Sequence, residues 1–252
     1  MINAAVCGAC GKMGRVIASV ISDREDVKVV CGIDKVGAAY SDFPVYNDIS
    51  VMTEKPDVII DFSHPSALDG LLEYALANGT ALVIASTGYS EEQTARIKKA
   101  SAQIPVFFTF NMSLGINLLS ELAAVAAKVL GDGFDIEIVE KHHNQKIDAP
   151  SGTALMLADS VSRLTGKKYN YVYDRHSVRR KRDTAEIGIH SVRGGTIVGE
   201  HEVIFAGRDE VITLSHSAAS KEVFAVGAVN AAVYLSGKAP GLYDMSALVK
   251  ER

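Results

Sequence analysis

The segment EKHHNQKIDAPSGTA, residues 140–154, concentrates groups that can move protons and hold an anion. His142 and His143 stand side by side, and Lys146 follows. An imidazole titrates near neutral pH, so a histidine here can give or take a proton during a reaction. Lys146 adds a positive charge. Further on, Pro150 biases Ala149 towards extended backbone, and Ser151 is a good N-cap for a helix. Gly152 and Thr153 then fall in the first turn, where amides lack an intrahelical acceptor and the dipole is positive. Those amides and the Thr153 hydroxyl suit a carboxylate. Together these groups describe a pocket for a small anionic substrate that needs proton transfer. The plainer alternative is a capped helix beside surface histidines.

A metal site is the competing chemistry. Neighbouring side chains on a strand point to opposite faces. A strand running from Ile136 into this segment therefore separates the His142 and His143 rings. No further pattern supplies the three or four protein ligands that zinc takes, and we expect no metal. Cys7 and Cys10 form C-x-x-C, but that motif overlaps a glycine-rich turn and Cys7 falls in a strand. With Cys31 the cysteines number three, and no secretory pattern accompanies them. They read as small reduced side chains, not as a disulfide framework.

A proton donor needs something to react with, and the N-terminus offers a hydride carrier. VCGACGKMGR places Gly8, Gly11 and Gly14 directly after a strand and into a helix. Such glycines let the backbone approach a pyrophosphate, which then meets amides and the positive helix end. The pattern is a variant of Gly-x-Gly-x-x-Gly, and a lone glycine motif is weak. Its context adds weight, because an acidic residue is expected after the second strand, and Asp34 stands 20 residues beyond Gly14. Asp34 would accept hydrogen bonds from ribose hydroxyls, which favours NADH; the adjacent Lys35 could attract a 2′-phosphate, so NADPH is tolerated. Arg15 reads as a solvated cation.

The elements around these motifs fall into two groups. Strands Ile2–Cys7, Val27–Ile33, Val58–Asp61, 81–85 and Pro105–Phe108 alternate with helices at Lys12–Ser22, 66–78 and 91–103. Apolar strands alternating with helices indicate a parallel sheet covered on both faces. From residue 113 the pattern changes. Helices are expected at 117–130, with Leu118, Leu122, Val125 and Val129 on one face, and at 151–165. Strands are expected at 136–141, 187–193, 197–206 and 210–217, in series, as in an antiparallel or mixed sheet. Lys221–Leu235 returns to helix, with Gly237 closing it. The expected fold class is α/β: a Rossmann-like doubly wound parallel sheet, with a second α+β domain carrying a mixed open sheet. Residues 1–112 and 221–252 would bind the dinucleotide, and 113–220 would bind substrate and form the oligomer.

Composition sets the outer limits. The 252 residues are 48% hydrophobic and 22% charged, with net charge −4. That is a globular profile, and the mild acidity gives no support for nucleic-acid or membrane binding. The basic run Arg179-Arg180-Lys181-Arg182 reads as a solvated loop. No apolar run reaches the roughly 18 residues of a membrane-spanning helix. The N-terminus lacks a basic region and a cleavage pattern, which places the chain in the cytoplasm.

The motifs GACGKMG, IDFSHPS, STG, NMSLGIN, KHHNQKIDAPSGTA, VGEHEVIF and LSGKAPGLYDM resemble the 4-hydroxy-tetrahydrodipicolinate (dihydrodipicolinate) reductase family over nearly the whole chain. The resemblance implies reduction of a cyclic dicarboxylate imine precursor with NADH or NADPH, on the route to diaminopimelate and lysine. It also implies a homotetramer built around the second domain's sheet. It assigns His142 as proton donor/acceptor and Lys146 as a second proton donor. His143, Gly152 and Thr153 take the substrate carboxylates. The cofactor contacts are Gly8, Ala9, Cys10, Gly11, Lys12, Met13, Asp34, Lys35, Ala85, Ser86, Thr87, Thr109, Phe110, Asn111 and Met112. Phe62 is placed near the nicotinamide, or packs at its strand end. Where the family often carries Gly-Thr-Thr, this chain has Ala85-Ser86-Thr87, which leaves the Ser86 side chain without an assigned task. Two other functions fit the glycine turn: a dehydrogenase of another amino or imino acid, and a dinucleotide sensor. The sensor would leave the proton-transfer cluster idle.

Overall fold

The computed structural model describes residues 1–36, 40–109 and 111–251. In chain order the elements are β1 (Ile2–Cys7), α1 (Lys12–Ser22), β2 (Val27–Ile33), β3 (Val45–Tyr46), β4 (Val58–Asp61), α2 (Leu68–Asn78), β5 (Ala81–Ile84), α3 (Glu91–Ala100), β6 (Pro105–Phe108) and α4 (Leu114–Leu130). They continue as β7 (Asp135–His142), α5 (Gly152–Thr165), β8 (Asn170–Val172), β9 (Glu186–Arg193), β10 (Gly199–Ala206), β11 (Val211–Ala218), α6 (Glu222–Leu235), β12 (Gly241–Tyr243) and α7 (Met245–Lys250). Two compact units result, Met1–Ser113 with Glu222–Arg252, and Leu114–Lys221.

In the first unit a seven-stranded sheet runs β12-β6-β5-β4-β1-β2-β3, with every pair parallel. The sequence VIID of β4 and ALVI of β5 are buried throughout, as strands covered on both faces must be. Leu68, Leu71, Leu72 and Ile97 of α2 and α3 pack with Ile33, Ile59, Leu82 and Val106. Each such fully buried aliphatic side chain contributes roughly 1.5–3 kcal/mol. On the other face α6 lies against α1, β4, β5 and β6. Helix ends follow the residues that allow them. Gly79 caps α2 in the left-handed region at φ 68°, and Ser90 with Gln93 forms a capping box at α3. Because the strands are parallel and the order reverses on either side of β1, their carboxyl ends share one edge, where such sheets bind ligands.

The second unit carries a mixed sheet, β11-β10-β7-β9-β8. β7 is antiparallel to β10 and parallel to β9. One face, bearing Ile136, Ile138, Ile187, Ile189, Val203 and Phe205, packs with Leu119, Ala123, Leu157 and Val161 of α4 and α5. Where the two helices meet, Ser120 and Ser160 share a buried hydrogen bond of 2.7 Å. The other sheet face carries Lys141, which bridges Glu200 and Glu202 at 3.1 and 2.9 Å.

The large aliphatics of α4 do share one face, as their spacing indicates, but it is not the buried one. The α4 row Leu118, Leu122, Val125 and Val129 is exposed, at 46, 48, 51 and 77%. The buried stripe is Ile116, Leu119, Ala123 and Ala127 instead. Alanines let α4 approach its neighbours closely, so the smaller side chains face inwards and the larger ones are left outside. Residues Leu114–Gly133 also form a stretch long and apolar enough to cross a bilayer, which a search for continuous apolar runs passes over. Its buried stripe belongs to the core of this unit, as in a globular core helix. The basic run, in turn, is not simply a solvated loop. Arg182 donates to Glu137 at 2.9 Å, to Asp135 at 2.7 Å and to the carbonyls of Ile136 and Glu186. Arg180 pairs with Glu186, and upstream of the run Asn170–Val172 form strand β8 beside β9. Carboxylates on β7 and β9 thus fix the arginines, while Arg179 and Lys181 stay exposed.

Candidate active site

Strand β7 alternates half-buried and buried positions until it ends at His142. That alternation puts Glu140 and His142 on the core face, two residues apart, and sends Lys141 to the other face. Glu140 is fully buried. Its Oε2 accepts from His142 Nδ1 at 2.5 Å and from Arg193 Nη1 at 2.7 Å. Its Oε1 accepts from Arg193 Nη2 at 2.7 Å and from the Ser151 amide at 3.0 Å. Burial pushes this carboxyl up, but the hydrogen bonds from Arg193, Ser191, His142 and the Ser151 amide outweigh it and hold it down at about 2.

The same carboxylate reaches the helix start. Ser151 caps α5, with its Oγ accepting from the Ala154 amide at 3.2 Å. Gly152 and Thr153 occupy the first two helical positions, at the positive end of the helix dipole. A Cβ on Gly152 would meet no atom within 4 Å, so the approach to this helix end is open. His143, half-buried, lies just past the strand, and its carbonyl accepts from the Lys146 amide at 3.1 Å. Lys146 Nζ pairs with Asp148 at 2.8 Å, and Arg193 holds the Asp148 carbonyl at 2.7 Å. His142, Lys146 and the Gly152-Thr153 turn are therefore tied together through one buried Glu140–Arg193 pair.

Behind this cluster stands His201 of β10, opposite Glu140 in register. Its ring meets that of His142 edge-on, with centroids 5.2 Å apart, and its Nε2 lies 3.2 Å from Ser151 Oγ. Burial, and then the neighbouring His142, push His201 down to about 4. It is thus neutral at physiological pH, a poor proton donor but a rigid wall. Among the described residues no group of three or more His, Cys, Asp or Glu is arranged to hold a metal ion.

In the first unit the candidate cofactor residues gather at the carboxyl edge of the sheet. Gly11 is the N-cap of α1 with no side-chain cap, and the first turn carries no acidic residue. Lys12 and Met13 open the helix. The Gly8 and Ala9 amides donate to the Ile33 carbonyl. Asp34 receives the Cys10 amide on Oδ2 at 2.9 Å and the Val36 amide on Oδ1 at 3.1 Å. Each oxygen keeps a second lone pair for a hydroxyl donor. Lys35 is exposed beside it. Arg15, read from sequence as solvated, stacks on the Tyr40 ring at 4.2 Å and donates to the Cys10 carbonyl. Cys7 and Cys10 form no disulfide; burial, then Asp61, push Cys7 up to about 12, which makes it inert.

Ser86 finds its task here. Its Oγ donates to Asp61 at 2.8 Å inside the protein, and Tyr89 and Ser63 donate to the same carboxylate. The Ser86 side chain therefore anchors its loop, between half-buried Ala85 and exposed Thr87. The Ser113 amide donates to Asn111 Oδ1 at 2.8 Å, and Thr109 and Asn111 bond one another. Met112 is buried under α6, where a Cβ on Gly227 would lie 1.7 Å from its carbonyl oxygen. Phe110 lies outside the described residues. Phe62 sits at the end of β4, its amide bonded to the Cys7 carbonyl.

Sequence reasoning missed Asp61, Glu140, Arg193 and His201. Two had a signal. Asp61 ends an apolar strand, and the alternation Gly199, His201, Val203, Phe205 puts His201 on a core face. Glu140 shares the period of Ile136 and Ile138. Arg193 gave none, since only the β7–β9 register brings it opposite His142.

A doubly wound parallel sheet with a glycine turn at its carboxyl edge is the architecture of dinucleotide-dependent oxidoreductases. Comparison makes it specific. Residues 2–112 match the family model of the dihydrodipicolinate reductase N-terminus, and residues 115–249 that of its C-terminus. The chain belongs to the dihydrodipicolinate reductase family. It is 53% identical over 251 residues to a 4-hydroxy-tetrahydrodipicolinate reductase of Caldanaerobacter subterraneus subsp. tengcongensis, covering 100% of this chain and 99% of the other. The enzyme of that name from Clostridium tetani is 45% identical, covering 99% and 97%. Among solved structures, a dipicolinate-bound dihydrodipicolinate reductase from Paenisporosarcina sp. TG-14 superposes with a TM-score of 0.78 at 27% identity, covering 97% of each chain.

Proposed function

We propose a division of labour, residue by residue, for the reaction of this family. That reaction is the NAD(P)H-dependent reduction of 4-hydroxy-tetrahydrodipicolinate to tetrahydrodipicolinate with loss of water, in diaminopimelate and lysine biosynthesis. Once the hydroxyl has left as water, reduced nicotinamide, when bound, supplies the hydride to ring C4 of the unsaturated ring, and protonation of the neighbouring carbon follows. The Gly8–Met13 turn and the start of α1 hold the diphosphate, and Asp34 takes the ribose hydroxyls. Ala85 to Thr87 and Thr109 to Met112 line the same sheet edge. Gly152 and Thr153, with His143, receive a substrate carboxylate, and Lys146 neutralises charge there. His142 delivers the proton to the carbon next to C4.

The observation that carries this reading is the pairing of His142 with buried Glu140 beside an open helix start. It favours His142 over Lys146 as the donor. Lys146 is held by Asp148, an exposed carboxylate. The dipicolinate bound by the Paenisporosarcina relative supports a cyclic dicarboxylate as the ligand. Asp34, with its like charge against a 2′-phosphate, makes NADH the favoured cofactor, and Lys35 keeps NADPH usable. The test is dinucleotide oxidation on enzymatically generated 4-hydroxy-tetrahydrodipicolinate, with NADH, NADPH and an aspartate control in parallel. Turnover on the cyclic substrate with higher kcat/KM for NADH is expected. A hundredfold preference for NADPH overturns the cofactor order, and turnover on aspartate alone overturns the substrate.

A homotetramer assembled through the second unit completes the proposal. The exposed row Leu118, Leu122, Val125 and Val129, and the outer strand β11 with Val211 63% exposed, support it. Monomers lose little by leaving single apolar residues in water, but a contiguous row favours association. Light scattering at micromolar protein should give four times the 26.9 kDa chain mass; a monomer would rule the assembly out.

A further inference from the structure

The geometry points to Glu140, clamped by Arg193, as the positioning residue that fixes which ring nitrogen of His142 carries the reacting proton. This inference rests on the proposed role of His142. Core packing does not call for a carboxylate here. The same face of β7 carries Ile136 and Ile138, and an apolar side chain at 140 would extend that core without the cost of burying a charge. Instead Glu140 is fully buried, and both its oxygens are taken: Arg193 on each, His142 on one and the Ser151 amide on the other.

A carboxylate that stays ionised can only accept, so His142 Nδ1 must be the donor in this pair. Nδ1 therefore keeps its proton, and Nε2 is the nitrogen left to work. A Cβ at Gly199 would crowd Nε2 at 3.2 Å, a contact that glycine avoids. In the reaction the imidazolium gives its Nε2 proton to the substrate carbon that neighbours the hydride acceptor. The neutral ring keeps Nδ1–H on Glu140, and solvent restores the Nε2 proton afterwards. Glu140 keeps its charge throughout. Arg193 supplies the geometry: its fork holds the carboxylate from β9, and its bond to the Asp148 carbonyl ties the Lys146 loop to the same point.

The test uses full-length Glu140→Gln. Glutamine offers one acceptor oxygen, for which Arg193 and His142 must compete. With the cyclic substrate, kcat should fall about thirtyfold while KM stays within about threefold, since no substrate contact is removed. Nitrogen-15 spectra of histidine-labelled protein, without cofactor or substrate and at a pH high enough to leave the ring neutral, should show the His142 ring as the Nδ1–H form. In Glu140→Gln they should show mixed tautomers. A kcat within twofold of the parent, or an unchanged tautomer, overturns the proposal. Should Glu140→Gln not fold, Arg193→Lys is read instead. It keeps the positive charge but loses the fork, and an unchanged kcat and tautomer there overturn the proposal equally. If the parent protein does not turn over the cyclic substrate, the reading of function fails, while the ring spectra still decide the positioning claim.

Discussion

His142→Gln should lower kcat about a hundredfold or more, the usual size of a lost acid–base group. Glutamine can fill the space and can still bond to Glu140, so the Arg193 clamp and the cap of α5 are kept. What it cannot do is carry a transferable proton. KM for the cyclic substrate should therefore move little. Lys146→Ala should behave differently, raising KM and lowering kcat together, because an ammonium attracts the substrate's carboxylates before and during the reaction. Its ion pair with exposed Asp148 leaves it movable, unlike the buried His142–Glu140 pair. Steady-state kinetics of the two variants separate the roles. Unchanged turnover in His142→Gln would remove it as the proton donor, and normal kinetics in Lys146→Ala would remove the lysine from the site.

The parallel sheet was readable because β1, β4 and β5 are continuous apolar runs and their helices carry clear stops, such as Asn78-Gly79. The second sheet was readable as a series of strands. Its mixed order was not, because β7 pairs with β9 and β10 across long stretches of chain and no local pattern records a register. The same gap explains the site. His142, Lys146, Gly152 and Thr153 are neighbours in sequence and could be grouped at once. Glu140 was next to them but passed as a strand residue, because its partner Arg193 lies 53 positions away. Which face of α4 is buried was not readable for another reason. Counting large aliphatics finds a stripe, but alanines at 123 and 127 bury as readily as leucine where two helices approach closely. The basic run failed in the same way, since its carboxylate partners Asp135, Glu137 and Glu186 sit on strands outside the window in which charge is counted.

Gly14→Ala should weaken dinucleotide binding by more than about a hundredfold, or prevent the first unit from folding, whereas Gly11→Ala should change binding only a few-fold. The motif treats its glycines as equals, but their surroundings differ. A Cβ on Gly14 would lie 2.2 Å from the Gly8 carbonyl oxygen and 2.7 Å from both Cα and the carbonyl oxygen of Ala9. These are backbone atoms, and the Gly8 carbonyl already accepts the Gly11 amide at 3.1 Å. Moving them displaces the amides of the turn that would face the diphosphate. Nor can the turn retreat. Gly8 sits at φ 80° with a Cβ position 2.7 Å from the Phe62 carbonyl, and the Gly8 amide is bonded to Ile33. On Gly11 the added Cβ meets only the Gly8 oxygen, at 3.2 Å, and its backbone is ordinary extended geometry at φ −69°. Forcing a methyl into packed backbone costs roughly 1–3 kcal/mol or more, while a shift of a few tenths of an ångström costs far less. Titrating NADH by its fluorescence, with thermal melting of each variant, reads both effects. Equal losses for the two alanines would show that the turn recognises its ligand through the Gly11 approach and not through the strand–helix contact that Gly14 permits.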